Sequence, residues 1–319
     1  MTNWADVTVR VLLAIISFCG TVLNTVSLCV LLRCRISSRL TTCLMRSQIC
    51  VDLYACLITF ISKCVGPNYE TPWPALNEIL CYSWFRDNLF WLGCVLSVHN
   101  IVCISFDRLI AVVAPIFYKL HQKALIIGCF TYLVSMSLFL FIPNFFLRRY
   151  KNSTCVSEYA LDGQVIAEFF EVQSYFWMFC AYILPGLFII ASHVVVIRYV
   201  HKWPGDSQDN SEQRLRARQK VKMLFVTTAT MAFMLLALHA YEAVRYLLAN
   251  IGLISYASGS PQQQVGIALI ILTCTLNPCI MISTTSTLRN YVRRVVLKTF
   301  SRINSTQSQS ASRADSTDF

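Results

Sequence analysis

Seven apolar runs, each long enough to cross a bilayer, limit what this chain can fold into. They are Val7–Leu32, Thr41–Cys64, Asp87–Val113, Ala124–Phe146, Tyr175–Val200, Val221–Leu248 and Val265–Thr285. A helix needs about 20 such residues to span the hydrocarbon core. Inside that core every backbone N–H and C=O must be satisfied within the segment. The reading is an all-α membrane protein, a seven-transmembrane helix bundle. Composition agrees: 56% of the 319 residues are hydrophobic and 13% charged, against about 25% charged in soluble domains. The runs use most of the chain and leave no room for a separate soluble module. No internal repeat stands out, which weakens an inverted-repeat transporter. The first run starts at residue 7 without a basic leader or a small-residue cleavage site, so it is expected to stay as a true span.

Basic residues set the orientation. Residues such as Arg33, Arg39, Arg46, Lys119, Lys123, Arg214, Lys222, Arg289 and Arg293 fall on one side. Arg10, Lys63, Arg86, Arg148, Arg149, Lys151 and Arg245 fall on the other. The bias places the N-terminus outside. The net charge of +11 is then a topology signal, and a nucleic-acid partner is not expected. The outer side carries slightly more acids than bases, among them Asp87 and Glu242. That excess suits a ligand with a basic group as well as it suits a solvated rim.

Most of the 15 cysteines lie within apolar runs, where cysteine acts as a small hydrophobe. Cys81 and Cys155 sit at outer, polar positions, where an oxidising exterior allows a disulfide. Cys64 is an alternative partner at the outer end of the second run. Asn152-Ser153-Thr154 is a glycosylation sequon on the same outer loop, so Asn152 is a candidate acceptor.

Two polar marks interrupt the apolar pattern. Asp107-Arg108-Leu109, followed by Pro115, ends the third run at the inner surface, where an ionisable pair is a functional candidate by default. Asp52 lies mid-run, where a lone carboxylate costs about 2.5–3.5 kcal/mol, so it needs partners. Asn24, Ser97 and Asn277 lie at similar depth. Such an oxygen cluster is compatible with a sodium ion at Asp52, or with a hydrogen-bonded, protonated carboxyl and no ion.

Together these features resemble the rhodopsin-like family of G-protein-coupled receptors, over about Val11 to Lys298. Asn24 and Asp52 stand where the family has its first-span asparagine and its buried second-span aspartate. Asp107 to Pro115 looks like the family's Asp-Arg-Tyr stretch and the proline of its second inner loop. Pro143, Pro185 and Asn277-Pro278 match prolines of the fourth, fifth and seventh spans. The resemblance implies that Asp107, Arg108, Leu109 and Pro115 serve G-protein coupling. Arg108 is held by Asp107 at rest and is then released towards a partner's helix terminus.

The resemblance also sets up departures. Aligning Phe233 with the family's sixth-span phenylalanine puts Ala237 where a tryptophan is expected and His239 where a kinking proline belongs. His193 and Met281 replace tyrosines, and Leu133 and Leu109 replace a tryptophan and a tyrosine. Phe233, Ala237, His239, His193, Pro278 and Met281 are thus the candidate activation switch. With no proline between Val221 and Leu248, a straighter sixth helix is expected.

Phe90 occupies the place of the aspartate that binds amines in monoamine receptors, and Ile271 that of the retinal lysine in opsins, so neither ligand is expected. Arg86, Asp87, Phe90, Trp91, Tyr241, Glu242 and Arg245 are the ligand-binding candidates, and a divergent peptide-receptor-like member is the expectation.

After the seventh run, Leu288, Tyr291, Val292, Val295 and Val296 form a stripe opposite Arg289, Arg293, Arg294 and Lys298. That pattern is a short amphipathic eighth helix on the inner leaflet. The expected organisation is an extracellular N-terminus over 1–6, a receptor domain over 7–285, the amphipathic helix over 286–300, and a disordered Ser/Thr-rich tail over 301–319. The expected function is a plasma-membrane, multi-pass receptor for a peptide, with a heterotrimeric G protein, arrestin at the tail and the lipid bilayer as partners. No cofactor is expected other than the sodium ion. A channel or transporter is the alternative. An enzyme is not expected: the chain has no His-Glu-x-x-His, no Gly-x-Ser-x-Gly and no paired intramembrane aspartates.

Overall fold

The computed structural model describes residues 4–34, 36–66, 71–156, 158, 163–201, 212–257, 259–295 and 297. The tail 301–319, Val296 and Lys298 lie outside the described residues, as does the side chain of Arg86. Seven helices are long and apolar enough to cross a membrane. The first span is Trp4–Arg33, the second Arg39–Val65, the third Asn88–Val113 and the fourth Gln122–Phe141. The fifth runs from Gln164 to His201, the sixth is Glu212–Asn250 and the seventh is Pro261–Thr284. The side assigned above to the exterior is called the outer end.

Local chemistry sets the boundaries. The Ser38 hydroxyl accepts the Thr41 N–H at 3.0 Å and caps the second span. Ser260 caps the seventh, followed by Pro261 in its first turn. The third span ends at Ala114 because the residue before Pro115 is pushed out of the helical region (φ −131°, ψ 63°). Pro143 falls in a 3₁₀ turn, Ile142–Leu147, that closes the fourth span. Upstream of Pro185, the fifth span carries a π-helical turn at Phe179–Ile183. A proline cannot donate to the preceding turn, and a π turn is one way a helix absorbs that loss.

Three elements exceed the expectation. The fifth span starts at Gln164, well before Tyr175, because Glu168 and Glu171 hide its first turns from a hydropathy reading. The sixth begins at Glu212, within the basic stretch. A short helix, Pro74–Ser83, lies across the outer end. In the first two cases the helix continues beyond its apolar stretch. Residues 286–295 form the eighth helix, with Leu288 fully buried and Arg289, Arg293 and Arg294 exposed.

The third span is the axis: 72% of its most apolar stretch is buried, against 28% for the first. The first span packs on the second and seventh. Gly20 permits that approach, since a Cβ there would overlap Thr275 Oγ1 and Cys56 Sγ. At the outer end, strands Arg149–Lys151 and Thr154–Val156 form a hairpin. Asn152 and Ser153 turn it with left-handed φ values of 50° and 61°, the conformation that two-residue hairpin loops need. The hairpin presents Asn152 at an exposed tip. It also holds Cys155 against Cys81 in a disulfide with a Cα separation of 5.4 Å. Cys64 is free.

Candidate functional site

Three polar constellations lie along the third span. At its inner end Arg108 is buried, and its Nε donates to Asp107 Oδ2 at 2.9 Å. The same guanidinium also reaches the Thr41 hydroxyl. Asp107 further accepts from Thr41 Oγ1 (2.9 Å) and from the Tyr118 hydroxyl (2.5 Å). Tyr118 sits on the one-and-a-half-turn helix Pro115–Leu120 that Pro115 starts. Burial, and then the Asp107 charge, push its phenol above the usual value, so it stays a donor. Pro115 itself is exposed and Leu109 half-buried. One carboxylate thus gathers the third span, the second span and the inner loop around Arg108.

At mid-depth Asp52 is fully buried. Ser97 Oγ donates to its Oδ1 (3.0 Å) and Asn277 Nδ2 to its Oδ2 (2.8 Å). The third donor is Gln48, which the sequence reading missed. Its Nε2 donates to Asp52 Oδ1 (2.9 Å) and Ser97 Oγ (2.7 Å). Asn24 is not a partner of Asp52. Its Nδ2 donates to the Gly20 and Cys274 carbonyls at 2.9 and 3.1 Å. The physical reason lies in Pro278: a proline has no N–H for the carbonyl four residues back, and here that carbonyl is Cys274's. Asn24 supplies the missing donor.

Amide and hydroxyl donors occupy both oxygens of Asp52, while Asn277 Oδ1 is buried without a hydrogen-bond partner among the described residues. A hard cation needs several oxygens turned towards it, and here Gln48 aims an amide nitrogen at Asp52 Oδ1 and Ser97 Oγ. Its orientation is fixed by the network: Asn100 Nδ2 donates to Gln48 Oε1 (2.8 Å) and to the Leu44 carbonyl (3.1 Å). Turning either amide over would set like groups against each other.

At the outer end a cavity of about 280 Å³ opens between the third, fifth, sixth and seventh spans. Trp91, Cys94, Val95 and Val98 line it from the third span; Trp177, Tyr182, His239, Glu242, Tyr246 and Gln263 line it from the others, and Tyr256 from the loop between the sixth and seventh. Rings form a chain across it, Trp91 to Trp177 (5.9 Å), Trp177 to Tyr246 (5.5 Å) and Tyr246 to Tyr256 (5.5 Å). The Tyr256 hydroxyl donates to Glu242 Oε1. Burial, and then the Glu242 charge, raise the Tyr256 phenol above its ordinary range, so it too stays protonated.

Of the ligand candidates whose side chains are described, Trp91 and Glu242 line the cavity. Phe90 is buried beside it, 5.1 Å from Trp91. Asp87 is tied to Lys63 Nζ (2.7 Å), Ser62 Oγ (3.0 Å) and Gln264 Nε2 (3.1 Å). Arg245 lies 5.8 Å from the Tyr241 and Tyr256 ring centres, and Tyr241 is partly exposed. Tyr246, read from the sequence as a residue of the outer mouth, lines the cavity, whereas Trp177 and Tyr256 went unread.

The sixth-span switch needs a larger correction. Phe233 is 68% exposed and Ala237 also faces outward, while Leu235 and His239 are buried. His239 meets Cys94 of the third span at 4.0 Å, at the floor of the cavity. The inward face therefore lies two residues further along than the resemblance placed it. His239 fills the inward position assigned to Ala237, and Leu235 that assigned to Phe233. The helix Glu212–Asn250 is uninterrupted through this region. His193 is half-buried beside Phe225, away from the cavity. Pro278 and Met281 are buried in the seventh span.

No curated protein matches the chain. The family described as "7 transmembrane receptor (rhodopsin family)" matches residues 8–281, which takes in all seven spans, the Arg108 cluster and the outer cavity. This chain belongs to the rhodopsin family of seven-transmembrane receptors.

Proposed function

We propose that this receptor binds a peptide from outside and activates a heterotrimeric G protein inside, as a plasma-membrane protein with its N-terminus outside. The observation that carries the reading is that one buried helix, the third span, bears the cavity at one end and the restrained Arg108 at the other. A guanidinium offers five donors in a fixed fork, suited to the unpaired carbonyls at a partner's helix end. Released from Asp107, Arg108 would be the group presented to that partner. A cavity of about 280 Å³ is at the small end of ligand pockets, which run from about 300 Å³ upward. It suits one or two inserted side chains of a ligand that rests mainly on the outer surface. The transport alternative is not favoured, since Asp52 and Asp107 accept several side-chain hydrogen bonds each rather than lining a path. Asp52 acts in this reading through its amide and hydroxyl donors, without sodium.

The test is nucleotide exchange on purified G proteins, driven by a peptide library. Arg108→Ala should abolish exchange at matched surface expression, and normal signalling by that variant would refute the coupling role.

A further inference from the structure

We infer that Glu242 is the counter-ion for a protonated amine or guanidinium that the ligand inserts into the outer cavity. The inference rests on reading that cavity as the ligand site and adds the chemical class it recognises. Glu242 is the one carboxylate among the residues lining the cavity. It is 5% exposed, and its Oε1 accepts from Tyr256, yet its Oε2 has no hydrogen-bond partner among the described residues. A buried acceptor left unpaired is costly, and a buried carboxylate more so unless a cation or donor meets it.

The surroundings fit a cation. Trp91, Trp177, Tyr246 and Tyr256 present a run of rings beside the acid. Aromatic faces attract ammonium and guanidinium groups. Arg245, three residues along the same helix, attracts Glu242 electrostatically and has a buried Nη1 without a hydrogen-bond partner among the described residues, but it forms no ion pair with Glu242 within 4.0 Å. Arg245 lies over Tyr241 and Tyr256, and the ion pairs among the described residues are Lys63–Asp87 and Arg108–Asp107. Arg148 lines the cavity but donates to the Asn144 carbonyl at 2.9 Å. The backbone is also shaped for this acid. Gly266 on the seventh span faces the Glu242 carboxylate, and a Cβ there would overlap it.

The experiment uses the purified full chain in nanodiscs with benzylammonium, benzyl alcohol and benzoate as probes, read by saturation-transfer NMR. Benzylammonium should bind in the millimolar range, and at least about tenfold more tightly than either isostere. Glu242→Gln keeps an acceptor for Tyr256 but removes the charge. It should weaken benzylammonium by about tenfold or more, the scale of a hydrogen bond to a charged group, and leave benzyl alcohol unchanged. Gly266→Ala, which displaces the carboxylate, should erode the same preference and serves if Glu242→Gln does not fold. Equal affinity for the three probes, no benzylammonium binding, or an unchanged preference in the folded variants would overturn the inference. Intact benzylammonium binding without peptide-driven nucleotide exchange would sink the signalling reading alone. A receptor that answers a peptide but is blind to benzylammonium would sink only this one.

Discussion

At the scale of single residues, three amides, Gln48, Asn100 and Asn277, organise the polar core at Asp52. Asn100 donates to the Leu44 carbonyl and to Gln48, and Gln48 and Asn277 both donate to Asp52, so the five residues form one connected network. The parent receptor should therefore melt at the same temperature in sodium and in N-methylglucamine at constant ionic strength. A sodium-dependent rise would show an ion at Asp52 after all. Gln48→Leu should lower stability by about 1–3 kcal/mol, because Asp52 loses one donor and Asn100 one acceptor in a dry interior. Thermal melting of the purified variant measures this. Asp52 and Arg108 were legible in the sequence because a charge in an apolar run is conspicuous. Gln48 was not, since an uncharged glutamine one turn from Asp52 does not show from sequence which way its amide faces. Nor could the sequence show that Asn24 answers a carbonyl stripped of its donor by a proline in another span.

At the scale of elements, the number and order of helices followed from apolar runs, but their faces did not. The sixth span shows why. Its residues are apolar nearly all round, so periodicity could not choose between Phe233 and Leu235 as the inward residue, and a two-residue error reverses the face. The missing proline was informative in its own right. The helix keeps its hydrogen bonds through His239, and the Tyr182 hydroxyl adds a donor to the Leu236 carbonyl at 2.9 Å. Hydrogen exchange should find no fast-exchanging stretch around residues 235–243, whereas a kinked helix would open there. His239→Pro should cost about 3 kcal/mol or more, from the lost bond and the clash with the preceding turn. A variant that melts with the parent would contradict this account.

At the scale of the whole molecule, the outer end is held by two different ties. The disulfide fixes the hairpin to the short outer helix. Asp87 joins the second, third and seventh spans through Lys63, Ser62 and Gln264. Asp87→Ala should cost about 3–5 kcal/mol, because it strands a buried ammonium, and should reduce surface expression. Asp87→Asn should fall between that variant and the parent. The outer cavity was not readable from the chain, because its walls come from spans and loops far apart in sequence. The unbroken sixth helix has a mechanical consequence. Its 39 residues make a rod about 58 Å long, of which about 40 Å lies on the inner side of His239. Were this rod to pivot where His239 meets Cys94, its short arm would lie in the cavity. A tilt of about 5° would then move the inner arm by about 2 Å at the depth of Arg108, fourteen residues inward of Cys94 on the third span, and by about 3.5 Å at the far end, so an adjustment of less than a bond length around Glu242 would be amplified several-fold on the inner side.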